Sequence, residues 1–119
     1  MPRGRTKPDY LNGIPELLIL RLLSCRAMHG YDLVQAIPRF SGGGLEFGEG
    51  CIYPLLHRLE SEKAILGQRE EVRGRSRIVY HITAAGRRQL QDATSRWEEV
   101  VGAVRNVLRG SAHGHAKLA

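Results

Sequence analysis

A mainly α-helical chain with one small β-hairpin, an α+β fold, is what the sequence predicts, and three observations predict it. Apolar residues recur at helical spacing in several separate segments. One arginine-rich turn, Arg73-Gly74-Arg75-Ser76-Arg77, lies between two strand-like runs. A long final segment repeats its apolar residues on alternating three- and four-residue steps. The chain has 119 residues, one domain's worth, with a core small enough that burial at an oligomer interface would help it.

The elements follow in order. Residues 1–11 are basic and proline-containing (Arg3, Arg5, Lys7) and read as a loose arm, either a mobile terminus or one that brushes phosphates. Asn12 is the expected cap of the first helix, with Pro15 in its first turn. Ile14, Leu17, Leu18, Leu20, Leu22 and Leu23 cover most of that helix's circumference, so it should be central. A second helix starts near Gly30 and presents Leu33, Val34, Ile37 and Phe40, with Pro38 bending or ending it. Residues 41–44 are a flexible connector, and Leu45-Glu46-Phe47 suggests a short strand. A third helix places Ile52, Leu55, Leu56 and Leu59 on one stripe. Its start near Cys51 would put Pro54 in the first turn, where the missing N–H does no harm.

The hairpin follows. Its first strand, residues 66–72, reads as an exposed edge. Its second sets Ile78, Tyr80 and Ile82 on one face and Val79 and His81 on the other. Thr83 then caps a last helix over residues 84–108, in which Leu90, Ala93, Trp97, Val100, Val104 and Val107 form a heptad seam. Such a seam either pairs with a second copy or folds back on its own core; dimerisation is the favoured reading. Residues 109–119 read as a flexible tail. Four segments result: the arm over 1–11, a compact unit over 12–83, the terminal helix over 84–108 and the tail over 109–119.

Net charge is +6 at pH 7, and the positive charge is clustered, which suits a polyanionic partner better than simple solubility does. Residues 17–23 form the richest apolar run, but Arg21 breaks it and it is far too short to span a membrane. Residues 1–9 lack the apolar stretch of a secretory signal. Cys25 and Cys51 are far apart with no CxxC spacing, so a cytoplasmic protein with reduced thiols is expected, Cys25 being a small core residue.

The third helix turns Tyr53, His57 and Arg58 away from its leucine stripe, beside a turn holding Arg73, Arg75 and Arg77. Like charges packed together repel, and phosphate would relieve them. A helix that fits a DNA groove next to a cationic loop is the outline of a winged helix-turn-helix. The duller reading, ordinary solvated surface, holds for each residue taken singly. Trp97 on the seam is most simply packing; the sharper reading is a platform for a planar aromatic effector. His113 and His115 lack a third metal ligand nearby, and Gly42-Gly43-Gly44 lacks the Lys-Ser/Thr ending of a phosphate-binding loop. No cofactor is expected, and nothing in the local spacing supports an enzyme.

Four blocks together resemble the PadR family of transcriptional regulators: His29-Gly30-Tyr31-Asp32-Leu33, Tyr53-Pro54-Leu55-Leu56-His57-Arg58-Leu59-Glu60, the arginine-rich turn with Tyr80, and Thr83-Ala84-Ala85-Gly86. The resemblance spans about residues 14–108 and is similar to the short subfamily with one carboxyl-terminal helix. It implies a homodimeric regulator, usually a repressor, whose terminal helices pair and whose operator is palindromic. Three places depart from the pattern. Cys51 stands where threonine is common, Lys63 where glycine usually ends the third helix, and Ile78-Val79 where a basic–aromatic pair is frequent. The expected function is therefore a dimeric repressor on double-stranded DNA. The rival is a winged helix that binds proteins and keeps its core and seam without needing its wing charge.

Overall fold

The computed structural model describes the backbone of residues 9–118 and the side chains of residues 13–110. The elements are α1 (Asp9–Cys25), β1 (Met28–His29), α2 (Gly30–Phe40), α3 (Glu49–Ser61), β2 (Ile65–Val72), β3 (Arg75–Ile82) and α4 (Ala84–Leu118). The three strands form one antiparallel sheet in the order β1-β3-β2. This is the α+β, winged architecture that the sequence predicts, with one strand in an unexpected place. Leu45-Glu46-Phe47 forms no strand. The third strand is Met28–His29, whose residues pair with Tyr80 and Val79 on the side of β3 away from β2.

The core sits where α1, α2 and α3 converge on the root of the sheet. Ile19, Leu20, Leu33, Ile52, Leu56 and Leu59 are fully buried there, with Leu23, Met28, Ile37, Ile65 and Tyr80 around them. Two apolar residues expected inside lie outside. Cys25 is exposed, because two residues on from Leu23 a helix has turned about 200°. Phe40 is in phase with Leu33 and Ile37, but it lies on the last turn of α2, where the core has ended, and is 70% exposed.

Three helix limits differ from expectation. α1 begins at Asp9, so part of the expected arm is helical and Pro15 lies within the helix. A proline removes a single donor and costs about 3 kcal/mol, which does not prevent the preceding turn from winding. Arg3, Arg5 and Lys7 lie outside the described residues. α3 starts at Glu49, not near Cys51, because the Gly48 carbonyl accepts from both the Cys51 and Ile52 amides and Glu49 complements the positive end of the helix. Pro54 therefore gives up the bond to Gly50. α4 continues past residue 108 to Leu118, so the expected tail is helical over most of its length. Its glycines cost only about 1 kcal/mol each, and the alanines, Lys117 and Leu118 favour helix. The His113 and His115 side chains lie outside the described residues.

The exit from α3 explains how a lysine replaces glycine. Lys63 has φ 65°, the left-handed conformation. The Ala64 amide donates to the Leu59 carbonyl at 2.9 Å and the Lys63 amide to the Glu60 carbonyl at 2.9 Å, the paired bonds of a Schellman turn. The turn keeps glycine's geometry with a side chain that strains it. Lys63→Gly is expected to stabilise the fold by about 0.5–1 kcal/mol. A denaturation midpoint equal to or below that of the parent protein would contradict this.

α4 is capped by Thr83, whose hydroxyl accepts from the Gly86 amide at 3.0 Å and donates back toward the Lys63 and Ala64 carbonyls. Gly86 permits this approach, since a Cβ there would overlap the Ala64 carbonyl oxygen. The first turns of α4 pack on α1 through Leu90 and the buried Ala93. Further on, Val104, Val107 and Leu108 are 52%, 66% and 72% exposed. The seam thus divides: its start rests on the chain's own core, and its continuation faces outward.

Candidate nucleic-acid interface

The outward side of α3 carries Glu49, Gly50, Cys51, Pro54 and His57, all exposed, because the leucines at 55, 56 and 59 turn the other side to the core. Tyr53 is only half outside. Its ring lies across the start of α2, and a Cβ on Gly30 would come within 2.5 Å of Tyr53 Cε1, so glycine at position 30 makes room for it. Burial, then the nearby Glu49 and Tyr31, push the Tyr53 hydroxyl above the ordinary phenol range, leaving it a neutral hydrogen-bond donor at neutral pH.

The hairpin turn is tighter than the five-residue stretch suggests. Arg73 and Gly74 alone form it, with φ 54° and 79°, the two positive values of a type I′ turn. Arg75 already pairs with Val72, Ser76 with Glu71, and Arg77 with Glu70. Acids absent from the turn therefore stand across the ladder from it. Even so, among the described residues no carboxylate forms an ion pair with Arg73, Arg75 or Arg77. Arg75 and Arg77 alternate with Ser76 and share one face of β3.

Arg77 reaches the root of the wing. Its Nη1 lies 3.2 Å from His29 Nε2. A guanidinium only donates, so Nε2 accepts; Nδ1 of the same ring sits 3.1 Å from Asp32 Oδ2. Tyr53, His57 and Arg77 thereby line one cavity of about 460 Å³ with His29, Tyr31 and Tyr80. His29 and Tyr31 escape a reading by spacing, because only the β1–β3 pairing, some fifty residues apart in sequence, brings them to the wing. Burial, then Glu60 and Tyr53, push the Tyr80 hydroxyl up as well.

Arg58 is not part of that cavity. Nη2 donates to Glu16 Oε1 at 2.6 Å and Nη1 to Glu62 Oε2 at 2.8 Å. Burial pushes the Glu16 carboxyl up, yet hydrogen bonds from Arg58 and Gln89 and the charges of Arg58 and Arg96 outweigh it and hold the group below the usual glutamate range. Arg58 instead borders a second cavity, of about 690 Å³, between α1 and α4. Trp97, 38% exposed, lines it with Ile14, Leu17, Val100 and the charged Glu16, Arg96 and Glu99. Trp97 is therefore neither closed into the core nor fully outside.

Among the described residues, no group of three His, Cys, Asp or Glu side chains is placed to hold a metal ion, and no helix is long and apolar enough to cross a membrane.

Comparison with known proteins agrees with this geometry. The family described as "Transcriptional regulator PadR-like family" matches residues 19–92. The chain is 36% identical over 105 residues to the transcriptional regulator Rv3488 of Mycobacterium tuberculosis, covering 88% of this chain and 92% of that protein. It is 32% identical over 97 residues to the transcriptional regulator YqjI of Escherichia coli, covering 82% of this chain and 45% of that longer protein. Among solved structures, a PadR-like transcriptional regulator of Bacillus cereus superposes with a TM-score of 0.72 at 35% identity, covering 87% of this chain and 99% of that one. The protein smu.1704 of Streptococcus mutans gives 0.75 at 28%, covering 83% and 90%. With a winged fold, a third helix with an exposed side, wing arginines that lack carboxylate partners, and relatives that are regulators rather than enzymes, the chain belongs to the PadR-like family of transcriptional regulators, which act by binding DNA.

Proposed function

We propose that the protein is a cytoplasmic homodimeric repressor that reads a palindromic operator in double-stranded DNA. α3 lies in the major groove, with His57 the side chain best exposed for base edges and Tyr53 and Arg77 placed for phosphate at its flank. Arg73 and Arg75 hold phosphates at the tip of the wing. The observation that carries this reading is that none of the three wing arginines has a carboxylate partner and that Arg77 lines one cavity with Tyr53 and His57 of α3. Each phosphate contact contributes about 0.9 to the slope of log affinity against log salt.

The test is Arg75→Ala with Arg77→Ala, measured on duplex DNA selected by the wild-type protein from random sequences. The double variant should bind at least about tenfold more weakly, with the salt slope reduced by about 1.8. Unchanged affinity and slope would reject DNA reading by this wing and leave a protein-interaction module.

The outward part of the α4 seam supports pairing with a second copy, which would set the two α3 helices about 34 Å apart, or a multiple of that, to match the helical repeat of DNA. The cavity at Trp97 supports a small planar aromatic effector that favours one dimer shape over another. Titration of Trp97 fluorescence with a panel of planar aromatic compounds tests this. Saturable quenching is expected, with binding of the same compound, followed by calorimetry, lost in Trp97→Ala. No response across the panel would leave Trp97 a packing role.

A further inference from the structure

The geometry points to Arg58 as a positioning residue of α3, tying that helix to α1 and α4, and not as a contact to DNA. This rests on the reading of α3 as the DNA-reading helix and names what holds it in place.

Both terminal nitrogens of Arg58 are engaged, one with Glu16 on α1 and the other with Glu62 just past the end of α3. The second oxygen of Glu16 accepts from Gln89 Nε2 of α4 at 3.0 Å, and Gln89 also reaches Glu62 at 3.4 Å. The four side chains close a ring that joins three helices. The Glu16 side chain is only 15% exposed. Turning Arg58 toward a phosphate would take from that largely buried carboxylate its direct ion-pair partner and leave it only the Gln89 hydrogen bond and the charge of Arg96.

The leucine stripe of α3 sets how deep the helix sits, but apolar contact has no direction and resists rotation about the helix axis poorly. Charge-assisted hydrogen bonds are directional. At a helix radius of about 5–6 Å, about 10° of roll carries a side chain about 1 Å sideways, more than a recognition geometry tolerates. Arg58 follows His57 directly in sequence, so the bonds that fix Arg58 also fix the angle at which His57 is offered. Gln89 extends the tie to α4, the helix whose seam would set the spacing of two reading heads.

The experiment measures affinity against salt for duplex DNA selected by the wild-type protein, and for an unrelated duplex. Variants are Arg58→Met, which keeps an apolar stem, Glu16→Gln, on a helix away from the exposed side of α3, and the two combined. Each single change should weaken binding to the selected DNA about tenfold at an unchanged salt slope, with little change on the unrelated duplex. The combination should be no weaker than the worse single variant, since both break one link. Arg77→Met is the control that should lose about 0.9 of slope. If Arg58→Met does not fold, Arg58→Lys takes its place. One ammonium cannot serve both carboxylates at once with the fork geometry of arginine, so affinity should again fall at constant slope. A slope reduced by about 0.9 in the Arg58 variant, or full affinity in Glu16→Gln, would overturn the positioning role. Failure of the wild-type protein to select any DNA would instead overturn the DNA-reading function itself.

Discussion

Leu56→Ala is expected to lower unfolding stability by about 2–5 kcal/mol. Leu56 is fully buried at the middle of α3, in the cluster where α1, α2 and α3 meet the sheet root. Truncation removes transfer energy and leaves a void that Ile19, Leu20, Leu33 and Ile52, all themselves closed off from solvent, cannot fill without moving. Domains of this size hold only about 5–15 kcal/mol in reserve, so a single loss of this kind takes a large share. Denaturant unfolding followed by circular dichroism measures it. A loss below about 1 kcal/mol would mean that the core is not packed as described.

Val104→Asp should convert the protein to monomers in sedimentation velocity, with the subunit itself remaining folded. Val104 lies on the seam of α4 and is 52% exposed in a single subunit, so its contact with its own chain is small. Val100 is a poorer site for the same test, because it is half-buried in the cavity against α1 and its replacement would disturb that packing too. In a paired seam, an aspartate at position 104 would have to lose its hydration among valines, and its symmetry mate would repel it. The expected weakening of association is on the order of 100-fold or more, equivalent to about 3 kcal/mol. A dimer that sediments unchanged would place the interface elsewhere.

Local periodicity carried most of the fold. The stripe Ile52, Leu55, Leu56 and Leu59 is complete within two turns of helix, and it oriented α3 correctly with no outside information. The cap at Thr83 was equally legible, because its partner Gly86 is three residues away. The arginines of the wing were readable as a cationic hairpin, although the turn shrank to Arg73-Gly74 once strand pairing was known. Lys63 was visible as a departure, and the backbone shows what it costs: the left-handed geometry stays and the side chain adapts.

Period and spacing along the chain are short-range quantities, set by the rise and turn of one element, so composition and pattern were enough to establish four helices, a hairpin and a cationic edge. The fate of a polar side chain depends on what lies across from it, and that is a matter of contacts between distant segments. Arg58 and His57 are neighbours in sequence and equal in polarity. One is bound to Glu16, 42 residues away, and the other looks outward. His29 joins the wing because Met28–His29 pairs with β3, and Trp97 borders a cavity because α1 lies over the first turns of α4. Packing of remote elements against one another assigned those roles, since a hydrogen bond or a buried carboxylate recognises its neighbour in space and has no record of it along the chain.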